Sequence, residues 1–284
     1  LLSKNKFVYI SDSFLSDILG GGELNDHELC EILVSKGISL EKIRSHEVGV
    51  SYIKSNHDKC YVISNFINLS RNVINLLINE CKYVIYEHDH KYLKSRNPAT
   101  YDNYTAPKGE VINYDFYKNA QAVFCQSSFH ESIIKKNLDI DNIVNVSGNL
   151  WSLSSLRTIE ILGKKPKRKE YSIMNSPIPH KNTREACFYC EKKGFKYNLI
   201  SSKNYEEFLS LLSNNEKFLF LPKTPETLSR VIVEARMMGV KTVTNKNVGA
   251  SYESWIKLKG DELICKMKNK REEIPNKILE VFNG

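Results

Sequence analysis

The sequence has no run of roughly 18 consecutive apolar residues, the length a membrane-spanning helix requires, so no such helix is expected. No Gly-x-Gly-x-x-Gly follows the first strand-like segment, which argues against a dinucleotide-binding enzyme of the NAD type. Neither an internal repeat nor a low-complexity tract is present. The opening, Leu1-Leu2-Ser3-Lys4-Asn5-Lys6, runs straight into a strand and lacks signal-peptide architecture. The seven cysteines are odd in number and sit mostly in apolar segments, which suits buried free thiols in a reducing compartment. A cytoplasmic protein is therefore expected. Cys187-x-x-Cys190 has no second Cys/His pair at zinc-finger spacing. Its surroundings, Arg184 to Gly194, read as an amphipathic helix with both thiols toward a sheet.

What is present is ordinary in amount and uneven in distribution. The 284 residues, 41% hydrophobic and 26% charged, suit two domains of a globular protein. Residues 1–150 carry 16 Lys and Arg against 18 Asp and Glu, a net −2. Residues 151–284 carry 25 against 15, a net +10. A basic second half points to an anionic ligand, with nucleic acid and a nucleotide diphosphate as the candidates. The densest run, Lys164 to Lys169, contains Pro166 and no apolar residue, and reads as a solvated linker.

Strand-like and helix-like runs alternate throughout, the pattern of parallel α/β sheets. In the first half, strands are expected at 7–12, 60–64, 83–86, 122–127 and 142–146. After the Gly20-Gly21-Gly22 turn, Leu24, Leu29, Ile32 and Leu33 mark an amphipathic helix that stops at Gly37. The pattern lapses between about 150 and 170. It resumes with strands at 171–174, 197–201, 217–221 and 241–244, helices near 181–193 and 205–213, and a closing helix at 275–282. The expected architecture is two Rossmann-like domains facing a central cleft, 1–150 and 171–284, joined by a linker at 151–170.

The most informative segment is Pro225-Glu226-Thr227-Leu228-Ser229-Arg230-Val231-Ile232-Val233-Glu234-Ala235, closed by Gly239. It lies between two strand-like runs, and open α/β sheets bind ligands at the carboxyl ends of their strands. The expected helix begins near Thr227 or Leu228, with Glu226 at its mouth. Glu234 lies inside an apolar helix, where an unpartnered carboxylate is costly. It must therefore meet a hydroxyl pair, an arginine or a backbone donor.

This segment resembles the nucleotide-sugar domain of GT-B glycosyltransferases, especially the retaining glycosyltransferase family 4. That family has Pro-x-x-x-Glu, a short turn, then Val-Val-x-Glu-Ala-x-x-x-Gly. Here Pro222 to Gly239 keeps seven residues between the two glutamates. Gly20-Gly21-Gly22-Glu23 is similar to the family's Gly-Gly-x-Glu loop. One departure is Leu228-Ser229, where the family has Phe-Gly.

The resemblance implies transfer of a sugar, with retention and without metal, from a nucleoside-diphosphate sugar to a carbohydrate or other hydroxyl acceptor. The donor would be a UDP- or GDP-sugar, a co-substrate, and no cofactor is implied. Glu234 would accept hydrogen bonds from the ribose hydroxyls, and Glu226 would contact the donor sugar, against the plainer reading of a helix N-terminal carboxylate. Amides at Thr227 and Leu228 would face the diphosphate. Lys181 and Arg230 would offset its charge, unless they are simply solvated. Gly21 and Gly22 permit close approach of backbone to phosphate or sugar; equally, they form an ordinary turn before a helix.

In Glu87-His88-Asp89-His90-Lys91, successive side chains of a loop converge poorly on one metal ion. His88 or Asp89 is instead expected to orient an acceptor hydroxyl or act as a base, the alternative being a structural loop. The aromatic segment 96–104 either shapes an acceptor site or is a surface loop. Two other functions stay in view: a phage-type DNA-modifying glucosyltransferase, and a non-catalytic GT-B-like binding module.

Overall fold

The computed structural model describes residues 6–283; the expectation about the opening residues falls largely on 1–5, outside the described residues. The chain divides into two compact units, residues 1–150 with 270–284, and residues 151–269.

The first unit is built on a six-stranded parallel sheet. Its strands are β1 (Lys6–Ser11), β2 (Ser39–Arg44), β3 (Cys60–Ile63), β4 (Lys82–Tyr86), β5 (Val123–Cys125) and β6 (Ile143–Asn145), in the order β2-β1-β3-β4-β5-β6. Tyr9 lies opposite Lys42 on β2 and Val62 on β3. The inner strands are continuous apolar runs, as strands covered on both faces must be. One face packs Val8, Ile10, Tyr61, Ile63, Tyr83 and Ile85 against α3 (Arg71–Glu80) and α5 (Ser128–Asn137). The other packs Phe7, Tyr9, Val62 and Val84 against α1 (Gly21–Ser35). β2 escapes sequence reading because Ser-Leu-Glu-Lys-Ile-Arg is a polar edge strand with no fully buried residue.

The second unit has a four-stranded parallel sheet of β7 (Arg168–Met174), β8 (Tyr197–Ile200), β9 (Asn215–Phe220) and β10 (Lys241–Thr244), ordered β10-β9-β7-β8. Its helices are α6 (Leu153–Gly163), α7 (Thr183–Lys193), α8 (Tyr205–Ser213) and α9 (Arg230–Met237). Cys190 is fully buried and Cys187 half-buried, both beside Tyr171, Ile173 and Leu219, as the plain helix reading expects.

Two boundaries differ from the sequence reading. The stretch expected as a linker contains α6, whose Ser152 hydroxyl caps it by accepting from the Ser155 amide at 3.0 Å. Leu156, Ile159 and Leu162 of α6 enter the second unit's core. The Ser-rich sequence that suggested a loop is thus a helix start. The closing helix, α10 (Gly260–Asn283), begins in the second unit, but from Lys270 onward it belongs to the first. Ile274, Ile278, Leu279 and Phe282 join the core around Phe7, and Phe282 meets Phe7 edge-on at 5.2 Å. Among the described residues, no helix is long and apolar enough to cross a membrane.

Candidate functional site

In the second unit the carboxyl ends of β7, β9 and β10 feed loops that are fastened to one another. Asn182, in the left-handed conformation at the start of α7, donates from Nδ2 to the Leu221 carbonyl at 2.8 Å. The Lys223 amide donates to the His180 carbonyl at 2.8 Å. Asn247 holds the other side, donating from Nδ2 to the Pro222 carbonyl at 3.0 Å. Glu226 sits in the middle: its amide donates to the Asn247 carbonyl at 2.7 Å and its own carbonyl accepts from Gly249 at 2.9 Å.

These fastenings bring Lys181 and Glu226 together. Lys181 Nζ donates to both carboxylate oxygens, at 2.8 and 3.0 Å, and lies 5.7 Å from the Phe220 ring centroid. Both side chains stay partly accessible, at 24% and 16%. The same loop helps wall a cavity of about 410 Å³ lined by Asn175, Ser176, Ile178, Asn182, Arg184 and Lys223.

The helix itself starts later than the sequence suggests. α9 begins at Arg230, with Ser229 as its N-cap, so Thr227 and Leu228 precede it. Leu228 has no exposed surface and packs in the core, while its carbonyl accepts from the Ala250 amide at 2.9 Å. Thr227 is also buried. Glu226 is therefore not a first-turn residue of α9; it pairs in a parallel bridge with Val248.

Glu234 meets the expected arginine, together with a single tyrosine hydroxyl and an indole that the sequence reading did not name. Its Oε1 accepts from the Tyr205 hydroxyl at 2.6 Å and from Trp151 Nε1 at 2.9 Å, and lies 3.3 Å from Arg230 Nε. The Arg230 guanidinium stacks over the Trp151 ring, 4.4 Å from its centroid. Arg230 is thus turned into a buried cluster, where the sequence reading had it facing a phosphate. Burial first, and the Glu234 carboxylate second, push the Tyr205 phenol well up. Trp151 and Tyr205 were not picked out from sequence, since they lie 83 and 29 positions from their partner.

In the first unit, His88 follows β4 and faces the first turn of α1. A Cβ on Gly22 would sit 3.8 Å from the imidazole, so Gly22 brings the helix close to that ring; Gly21 opens the same turn. One His88 ring nitrogen bonds the Asp26 carboxylate and the other bonds the Gln126 side chain. Asp26 and Gln126 were missed from sequence. Asp26 sits on the inward face of α1, four positions after Gly22.

Asp89 goes elsewhere. It is paired with Arg96 and with Lys91, the latter at 3.2 Å. Burial pushes its carboxyl up, but the Lys91 and Arg96 charges outweigh that and hold it well below the usual carboxylate range. Lys91 also bonds Glu87, which accepts from the Tyr117 hydroxyl, all in the interior. The Asp89 and Glu87 carboxylates hold the Lys91 ammonium above its ordinary value despite burial. His90 bonds the Tyr92 hydroxyl at 2.8 Å. The three side chains of His88-Asp89-His90 therefore diverge, and no metal-ligating cluster of three or more occurs among the described residues. The 96–104 segment folds into short turns, with Tyr104 packed edge-on to Phe129 at 5.6 Å.

No family model and no curated protein sequence matches the chain. Solved structures do match in fold. HepE of Anabaena, in complex with UDP and glucose, aligns with a TM-score of 0.53 and 13% identity, over 95% of this chain and 90% of that one. The catalytic domain of starch synthase IV from Arabidopsis thaliana, bound to ADP and acarbose, aligns at 0.51 and 10%, over 87% and 84%. An α-glucosyltransferase in complex with UDP and a 13-mer DNA aligns at 0.50 and 10%, over 95% and 90%. Two α/β units, each on a parallel sheet, with these neighbours, define the GT-B glycosyltransferase fold.

Proposed function

We propose that this protein is a glycosyltransferase that moves a sugar from a nucleoside-diphosphate sugar to a hydroxyl acceptor. The observation that carries the reading is the Lys181–Glu226 pair, held by fastened loops just ahead of α9. Negative charge develops on the departing diphosphate, and Lys181 together with the amide end of α9 is suited to stabilise it. Engagement of Lys181 by phosphate would release the Glu226 carboxylate to the hydroxyls of the donor sugar. Glu234 is the candidate for the ribose hydroxyls, through Oε2, while Oε1 stays with Trp151 and Tyr205.

The reaction breaks the bond between the anomeric carbon and the phosphate oxygen and forms one to the acceptor oxygen. Asp89 is a poor base, since its two cations keep it ionised and weakly basic. His88 has both ring nitrogens bonded, which suits a positioning role. We therefore assign the acceptor proton to the leaving phosphate oxygen, in keeping with retention and with a metal-independent route. UDP- and GDP-sugars are the donors we favour, and the seven free thiols favour the cytoplasm.

Incubation with UDP-, GDP- and ADP-sugars, followed by measurement of nucleoside diphosphate release and thermal shift, tests the proposal. Release with one donor supports it. Neither release nor a shift with any donor overturns it; a shift without turnover would make the protein a binding module.

A second reading makes DNA the acceptor, held by the +10 charge of residues 151–284, although the donor diphosphate accounts for that charge more simply. A duplex affinity falling steeply with salt, together with glucose incorporated into DNA, would select it. Absence of both leaves a carbohydrate or other hydroxyl acceptor.

A further inference from the structure

Ser229, the N-cap of α9, has φ +75° and ψ +85°. Residues with a Cβ seldom adopt this conformation, which glycine takes without steric cost. An N-cap serine ordinarily has extended backbone and turns its hydroxyl onto an amide of the first helical turn. Ser229 makes no such bond. Its Oγ is nevertheless buried and has no hydrogen-bond partner among the described residues, and the residue is only 7% exposed.

Two unfavourable features thus coincide at one residue, a strained backbone and a buried unpaired hydroxyl. The chain around it is not free to relax them. The Leu228 carbonyl is held by Ala250 at 2.9 Å, and the Ser229 carbonyl accepts from Ile232 at 3.1 Å. The left-handed conformation withholds the hydroxyl from the first-turn amides and leaves it unengaged. Three residues earlier stands Glu226, paired with Lys181.

We propose that the Ser229 hydroxyl is a ligand of the donor diphosphate, donating a hydrogen bond to a phosphate oxygen beside the Lys181 ammonium and the α9 amides. An anion is the fitting partner because the helix end and Lys181 both favour negative charge there. The inference rests on the nucleotide reading of this site and adds to it a contact made by a side chain.

The test compares Ser229→Ala and Ser229→Gly with the wild-type chain, by calorimetric titration with UDP, GDP and ADP. Both variants remove the hydroxyl, but only glycine also relieves the backbone. The expected result is a roughly tenfold weaker affinity in both variants, for whichever nucleoside diphosphate the wild type binds. Ser229→Gly should melt higher than Ser229→Ala, which keeps the experiment informative if the alanine variant folds poorly. Wild-type affinity in Ser229→Gly overturns the assignment of the hydroxyl while leaving the nucleotide site intact. A wild-type chain that binds none of the three overturns the nucleotide reading itself, and this inference with it.

Discussion

The indole Nε1–H of Trp151 donates to Oε1 of Glu234 at 2.9 Å, joining the first residue of the second unit to the carboxylate inside α9. Trp151 and Glu234 are both buried, and the Arg230 guanidinium lies over the indole. Replacing Trp151 by Phe keeps a ring for Arg230 and removes one donor to a charged acceptor. That should cost about 2 kcal/mol in urea unfolding. A loss within experimental error would mean the bond contributes nothing net.

Glu234→Gln breaks the pairing with Arg230 in a buried place, so the protein without nucleotide should unfold more readily, by about 3 kcal/mol. The stabilisation gained on adding a nucleoside diphosphate should also disappear. Tyr205→Phe serves as control, since it disturbs the same carboxylate without touching the ribose. If Glu234→Gln is stabilised by nucleotide as strongly as wild type, the ribose assignment fails.

Glu226→Ala should lower turnover by about a hundredfold while changing nucleoside diphosphate affinity far less. Initial rates and titrations on the same preparation separate the two. Equal losses in both would put this carboxylate on the nucleotide instead of the sugar.

His130 gives a pH dependence with a definite sign. Its Nδ1 accepts from the Gln126 amide at 3.3 Å and its Nε2 donates to the Asp89 carbonyl at 3.0 Å, so the imidazole is neutral. Burial first, then the neighbouring His90, push it well below the ordinary value. The unfolded imidazole titrates near pH 6.5. Below that pH the unfolded chain binds more protons than the folded one, so stability falls as pH drops. The limiting slope is about 1.4 kcal/mol per pH unit. His130→Gln should flatten the profile between pH 6.5 and 5, measured by urea unfolding; parallel profiles would show that His130 is not the group responsible.

Phe282→Ala should remove about 3 kcal/mol from the first unit, because Phe282 is buried against Phe7. Differential scanning calorimetry would register this as a lowered transition. An unchanged thermogram would show that the last turns of α10 contribute little.

The alternation of strands and helices was readable because inner parallel strands such as Tyr61-Val62-Ile63 are uniformly apolar. β2 was not, since an edge strand has little to bury. α6 was hidden because its capping serine and its lysine-rich exit read as loop composition. At the site, the need of Glu234 for a partner followed from the apolar residues around it, but the identity of Trp151 and Tyr205 depends on tertiary folding. Lys181 and Glu226 are 45 positions apart, and only the family resemblance connected them before their contact was seen. The misplaced start of α9 has a single cause. Ser229 adopts a left-handed conformation that serine does not favour, and this delays the helix to Arg230.

The return of α10 to the first unit sets an order for synthesis of the protein. Residues 151–269 are contiguous, so the second unit is fully synthesised while the first still lacks Ile274, Ile278, Leu279 and Phe282. On the ribosome, the unit that begins first is the last to be completed. Until those four side chains emerge, Phe7 and its neighbours on that face of the sheet have the cover of α1 but lack that of α10.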